Sequence, residues 1–162
     1  MSNIPVKVLL DDIRSAFNVG SIFRTSDAAG IDELILSGIT PYPPHNRIPK
    51  TALGATESVK WQHFPNKIDS VNYCENTTEV IGVELTDDAI DYFDYNFRKP
   101  ITLVFGNEIS GISEELLKKC KKVVKIPMYG TKHSLNIATS YGIVIYEIVR
   151  QWHFPSEVFD KP

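Results

Sequence analysis

Residues 101–108 read Ile101-Thr102-Leu103-Val104-Phe105-Gly106-Asn107-Glu108. A strand with one face in water alternates apolar and polar side chains. The first five residues do not, so they form a strand covered on both faces, the habit of a parallel sheet flanked by helices. The run ends abruptly in a glycine and two polar residues, where a ligand can approach the backbone closely.

Working outward, short β-rich runs alternate with helical patterns, the signature of an α/β fold with a mostly parallel sheet flanked by helices. Val6–Leu10 is the first strand. Asn18 caps a helix over Val19–Ala29, which Gly30 ends in the left-handed conformation. Glu33–Leu36 is a strand. Gly38–Lys50, with Pro41, Pro43, Pro44 and Pro49, is an irregular loop. Strands follow at Val59–Phe64 and Val80–Glu84, with a helix over Asn66–Cys74 between them. Ser113 caps a helix whose first turn holds Glu114 and Glu115 and whose last holds Lys118, Lys119 and Lys121. Val123–Ile126 is the last strand and Met128–Ser134 a loop. The helix Leu135–Trp152 is apolar nearly all round, which makes it either a central core helix or one shared between the sheet and a second subunit.

The chain has 162 residues, 43% hydrophobic and 23% charged, enough for one well-buried core, so residues 1–162 are read as a single domain. No apolar run approaches the ~20 residues that cross a bilayer, and Met1–Lys7 does not open a secretory signal. Cys74 and Cys120 form no Cys-x-x-Cys or Cys/His cluster. Neither disulfides nor a metal is expected, and a reducing cytoplasm fits.

The net charge of -3 argues against a generic nucleic-acid coat. The charge is segregated, however. Glu114–Asn136 carries a surplus of four positive charges, and Glu84–Asp94 carries five carboxylates with no Lys or Arg. The lysines read either as a solvated helix end or as phosphate contacts.

No Gly-x-Gly-x-x-Gly, P-loop or His-Glu-x-x-His occurs. Polar residues and glycines gather in three strand-to-helix junctions: Asn18–Arg24, Gly106–Gly111 and Pro127–Asn136. In the first, Asn18, Gly20 and Arg24 can hold an anion or polarise a hydroxyl, although a cap and a surface arginine account for the same residues. In the second, Glu108 is either a functional acid or a solvated one beside a tight turn. In the third, His133 and Ser134 are adjacent in a loop, which disfavours a Ser-His nucleophile. Tyr42, Trp61, Arg47, Lys50 and Lys60 around the proline loop suit stacking and neutralising single-stranded RNA, or packing in the core for Trp61.

Together the three junctions resemble the motifs of the SpoU, or TrmH, family of S-adenosylmethionine-dependent RNA ribose 2'-O-methyltransferases, within the SPOUT superfamily. The first is Asn18-Val19-Gly20-Ser21-Ile22-Phe23-Arg24-Thr25. The second runs from Leu103 to Ile112, and the third from Ile126 to Ala138. Asn107 before the glutamate and Thr139-Ser140-Tyr141 after Asn136 are small departures.

The resemblance implies a SPOUT-type sheet with a C-terminal deep trefoil knot. It implies S-adenosylmethionine contacts at Leu85, Gly106, Ile126, Met128, Ser134 and Leu135, and a catalytic and RNA-positioning set of Arg24, Glu108, Ser134, Asn136 and Asn18. It further implies a homodimer pairing the last helix with the first; with a first strand from Val6 and a last helix to Trp152, no separate RNA-binding extension is expected, and short members of the family make tRNA the expected substrate, with the wobble nucleotide as first candidate. Two rivals stand beside it: a SPOUT enzyme methylating a base nitrogen, and a catalytically silent RNA-binding protein of the same fold.

Overall fold

A computed structural model describes residues 3–153. In chain order its elements are β1 (Ile4–Asp11), α1 (Ala16–Ala29), β2 (Ile31–Ser37), α2 (Pro49–Ala52), α3 (Ala55–Ser58), β3 (Trp61–Phe64), α4 (Lys67–Glu75), β4 (Glu79–Val83), β5 (Ile90–Asp91), β6 (Ile101–Phe105), α5 (Glu114–Leu117), β7 (Lys122–Lys125) and α6 (Ile137–His153). The strands form one sheet in the order β3-β2-β1-β6-β4-β7-β5, and every pairing is parallel.

Both faces are covered, as the unbroken run of β6 requires: all five of its residues are buried. Val6, Val8 and Leu10 of β1 face a core shared with Val19, Ile22 and Phe23 of α1 and with Tyr141, Val144, Ile145 and Ile148 of α6. Leu9, Ile35 and Val104 face a smaller core under α4 and α5, with Val71, Cys74 and Leu116. Parallel pairing brings the C-terminal ends of all strands to one edge of the sheet. There the four adjacent strands β1, β6, β4 and β7 deliver their loops side by side, the usual location of ligand sites in open α/β sheets.

The local signals differ from expectation in specific ways. Helix α1 starts at Ala16, because Ser15 rather than Asn18 is its cap: the Ser15 hydroxyl accepts from the Asn18 N–H at 3.2 Å. Gly30 ends α1 with φ 67°, as its position predicts. The residues from Val59 do not all enter β3, which starts at Trp61 after α3. Ser113 makes no side-chain cap. Its N–H instead donates to the buried Asp11 carboxylate at 2.7 Å, and α5 is a single turn. Lys118, Lys119 and Lys121 pair with Glu114, Glu75 and Glu79, so these lysines are a solvated, ion-paired surface. Helix α6 buries one stripe in the core of its own chain, Ile137, Tyr141, Val144, Ile145 and Ile148, and leaves Tyr146 exposed. Strand β5, two residues long, carries no sequence signal.

Candidate active site

The four loops enclose a cleft of about 530 Å³, within the ~300–1,000 Å³ typical of small-molecule sites. Its walls include Val83, Leu85, Phe105, Gly106, Ile126, Met128, Leu135 and Ile137. Its polar rim includes Asn18, Glu108, Ser134 and Asn136. All six residues expected to contact a cofactor therefore share one cleft, with four of the five expected catalytic ones.

A hydrogen-bonded relay joins three of the loops. The Glu108 carboxylate accepts from the N–H of Arg14 at 2.9 Å, the N–H of Ser15 at 3.1 Å and the Asn18 amide at 3.5 Å. Asn18 Oδ1 accepts from Asn136 Nδ2 at 3.1 Å. Asn136 Oδ1 accepts from the N–H groups of Ala138 and Thr139 at 2.9 and 3.3 Å, capping α6. Partial burial pushes the Glu108 carboxyl up, but the N–H groups of Arg14, Glu108 itself and Ser15, with the Asn18 amide, outweigh it and hold it below its ordinary value. Glu108 is thus a fixed carboxylate that shapes the β1–α1 turn. A group already accepting from three partners is poorly placed to take a substrate proton.

Further residues hold this frame, of which Asp12 and Lys67 carry no sequence signal. Asn107 donates to the Asp12 carbonyl at 2.7 Å and accepts from the N–H groups of Ile109 and Ser110. Asp12, at φ 53°, accepts from the Ile39 N–H and pairs with Lys67, which also lies 3.2 Å from the buried Asp11. Glu84 accepts from the N–H groups of Leu85 and Ile112. At Gly106 a Cβ would meet the backbone of Gly111 and Ile112 at about 2 Å, so no other residue lets this turn close.

Arg24 stands apart. It lies six residues beyond Asn18 on α1, which on an α-helix is about 9 Å along the axis and roughly 120° round it. It is exposed and does not line its own chain's cleft. No hydrogen bond joins His133 to Ser134 among the described residues, so a Ser-His nucleophile finds no support. Burial pushes the Cys74 and Cys120 thiols up to about 11 and about 12, which removes them as nucleophiles. The described residues contain no group of three or more His, Cys, Asp or Glu able to hold a metal ion. Trp61 packs against the core, and exposed Tyr42 stacks on His63 at 3.9 Å.

With this geometry in hand, the match of the SpoU rRNA Methylase family model to residues 5–146 is decisive. The chain belongs to this family. It is 31% identical over 150 residues to a tRNA (guanosine(18)-2'-O)-methyltransferase of Aquifex aeolicus, covering 89% of this chain and 68% of that one. The solved SpoU methyltransferase AviRb of Streptomyces viridochromogenes, in complex with AdoMet, superposes with a TM-score of 0.84 at 31% identity, over 91% of this chain and 58% of that one. A structure described as showing 2-OH methylation of C/U34 on tRNA superposes with a TM-score of 0.83 at 25% identity, over 91% of this chain and 96% of that one. The chain spans 59% to 61% of the length of other curated relatives it matches. The matched range contains all three junctions, each of which contributes residues to the cleft.

Proposed function

We propose that this SpoU-family chain is an S-adenosylmethionine-dependent RNA ribose 2'-O-methyltransferase acting on tRNA. The observation that carries the reading is the Glu108–Asn18–Asn136 relay on the rim of a cleft lined by apolar and polar side chains together. It fixes polar groups from three loops around a space that fits a small molecule. The solved relative with AdoMet supports the cofactor, and the relatives named for tRNA 2'-hydroxyl methylation support the substrate.

Leu85, Ile126, Met128 and Leu135 suit an adenosine and an aliphatic chain, and Gly106 lets the backbone contact them. When bound, the cofactor supplies an electrophilic methyl on a sulfonium. What remains for the protein is to align a weakly acidic ribose hydroxyl and stabilise its developing negative charge. A guanidinium with a pKa above ~12 is a poor base, so Arg24 stabilises the alkoxide while a substrate phosphate accepts the proton. Asn18, Asn136 and Ser134 orient the ribose, and Glu108 keeps Asn18 in place.

Because Arg24 turns away from its own cleft, it serves the cleft of a second copy in a homodimer. The half-exposed Phe17 of α1 and Tyr146 of α6 mark the faces that pair. A sheet order that sets β7 between β4 and β5 supports the trefoil threading of the family. The wobble nucleotide is the first candidate target, supported by the relative of nearly equal length. Free cysteines, and described helices none of which is long and apolar enough to cross a membrane, agree with a cytoplasmic site of action.

The test is nuclease digestion of methylated RNA followed by nucleoside mass spectrometry, with RNA from a deletion strain and its parent. A lost 2'-O-methylnucleoside in tRNA is the expected result. A lost base-methylated nucleoside would favour the base-nitrogen enzyme, and no transfer to any cellular RNA would favour the silent binder.

A further inference from the structure

Seven cations of the described residues are held in ion pairs. Lys7 and Lys60 pair with Glu33, Lys67 with Asp11 and Asp12, Lys118 with Glu114, Lys119 with Glu75, Lys121 with Glu79 and Arg150 with Glu147. Nine others have no ion-pair partner among the described residues, and three of these, the exposed Arg24, Arg47 and Lys50, lie together on α1 and the segment packed against it. Residues 38–55, which contain Arg47 and Lys50, include no Asp or Glu.

These three cations are held on one rigid unit. Helix α2 lies against α1 so closely that a Cβ on Gly20 would sit 2.1 Å from Thr51 Oγ1 and 2.4 Å from the Ile48 carbonyl. The Thr51 hydroxyl donates to the Phe17 carbonyl at 2.8 Å, and Ile48, between Arg47 and Lys50, is fully buried. Two turns beyond Gly20, Ser58 of α3 donates to Asp27 at 2.5 Å. Gly20 and Asp27 therefore mark the stripe of α1 that faces α2 and α3. Arg24 lies between them, about 6 Å beyond Gly20 and about 40° off the stripe. Wherever Arg24 reaches a ribose, in its own chain or a partner's, Arg47 and Lys50 travel with it.

We propose that Arg47 and Lys50 grip the sugar-phosphate backbone of the RNA strand flanking the reacting nucleotide. This rests on the methyltransferase reading above. A nucleotide whose 2'-hydroxyl meets Arg24 has a phosphate on each side, and two unpaired cations beside Arg24, on a stretch of chain without Asp or Glu, complement them. Lys60, on the same stretch of chain, is excluded by its pairing with Glu33 at 3.5 Å. The contact is to backbone, so its loss weakens binding of all sequences alike and changes no base preference.

The test is binding of a fluorescently labelled tRNA transcript between 50 and 300 mM salt, with steady-state kinetics on the same RNA. R47A/K50A is expected to lower the log–log salt slope by about 1.4, since each phosphate contact on a single strand contributes ~0.7. The loss falls on KM for RNA, with kcat changing less than about twofold. R47K/K50R retains most of the slope. K118A/K119A removes the same charge from the ion-paired α5 region and leaves the slope intact. An R47A/K50A slope equal to wild type in an active enzyme overturns this assignment alone, as does an equal loss in K118A/K119A. Wild-type protein that neither binds nor methylates tRNA takes down the functional reading and this one together.

Discussion

Asn136 donates from Nδ2 to Asn18 Oδ1 across 3.1 Å, linking residues 118 positions apart in the chain. Each asparagine also serves a second partner, since Asn18 donates to Glu108 and Asn136 caps α6. The two roles of Asn136 can be separated. Asn136→Asp keeps the cap and abolishes the donation to Asn18, so thermal unfolding stays close to wild type while methyl transfer falls at least ~10-fold. Asn136→Ala loses both, with about 1 kcal/mol of stability gone. Matched losses of stability in the two variants would show that the relay is only structural.

Glu108 predicts a pH signature. Its folded-state pKa is depressed below the ordinary 4.5, so its stabilisation is complete above the unfolded value and vanishes as pH falls through the folded one. Glu108→Gln should unfold more easily than wild type at neutral pH, and the two denaturation curves should converge once the folded carboxyl is protonated. A gap that persists at the acid end would contradict the clamp.

Lys67 sits between two adjacent carboxylates, one of them fully buried. Lys67→Met should cost about 3 kcal/mol by stranding Asp11 beside Asp12, and adding Asp12→Asn should recover part of it. Urea denaturation of the four proteins in this double-mutant cycle reads the coupling. Simple additivity would mean that the pair is not energetically joined.

Arg24→Ala is expected to keep cofactor affinity and lower turnover at least ~100-fold, the mark of a group that acts in the transition state. Arg24→Lys should rescue little, because an ammonium lacks the planar fork. Calorimetric titration with S-adenosylmethionine beside turnover measurements checks both, and an equal loss of cofactor affinity would contradict the role.

Ile145 is fully buried in its own chain, so Ile145→Asp should unfold the protein. Tyr146, 49% exposed on the same helix, marks the other face. Tyr146→Asp should give folded monomers by sedimentation with an unchanged circular dichroism spectrum. A stable Tyr146→Asp dimer would move the subunit contact elsewhere.

The parallel sheet was legible because Ile101–Phe105 has no polar alternation and because Gly30 and Pro127 punctuate the elements on either side. The start of α1 was not. Ser15 and Asn18 are both good cap types, and the choice between them follows a carboxylate about 90 positions away that takes the Arg14 and Ser15 N–H groups. The length of α5 was hidden for the same reason, since Asp11 claims the Ser113 N–H. The cleft residues were found through their loops. The frame behind them, Asp12, Lys67 and Asn107, consists of ordinary polar residues whose meaning lies entirely in who their neighbours are. The position of Arg24 on α1, away from the lining of its own cleft, follows from 3.6-residue periodicity once the start of the helix is known.

Strand β7 inserts between β4 and β5, pairing Ile81 with Lys122 on one side and Ile90 with Val124 on the other. During synthesis β4 and β5 leave the ribosome first, and the strand that must fill the gap between them follows about 30 residues later. At ~5–20 residues per second this leaves unpaired ladder groups open for seconds, on a nascent chain that has not yet produced β7. The same insertion that brings the loop at 126–136 into the cleft therefore keeps this end of the sheet incomplete until β7 has emerged.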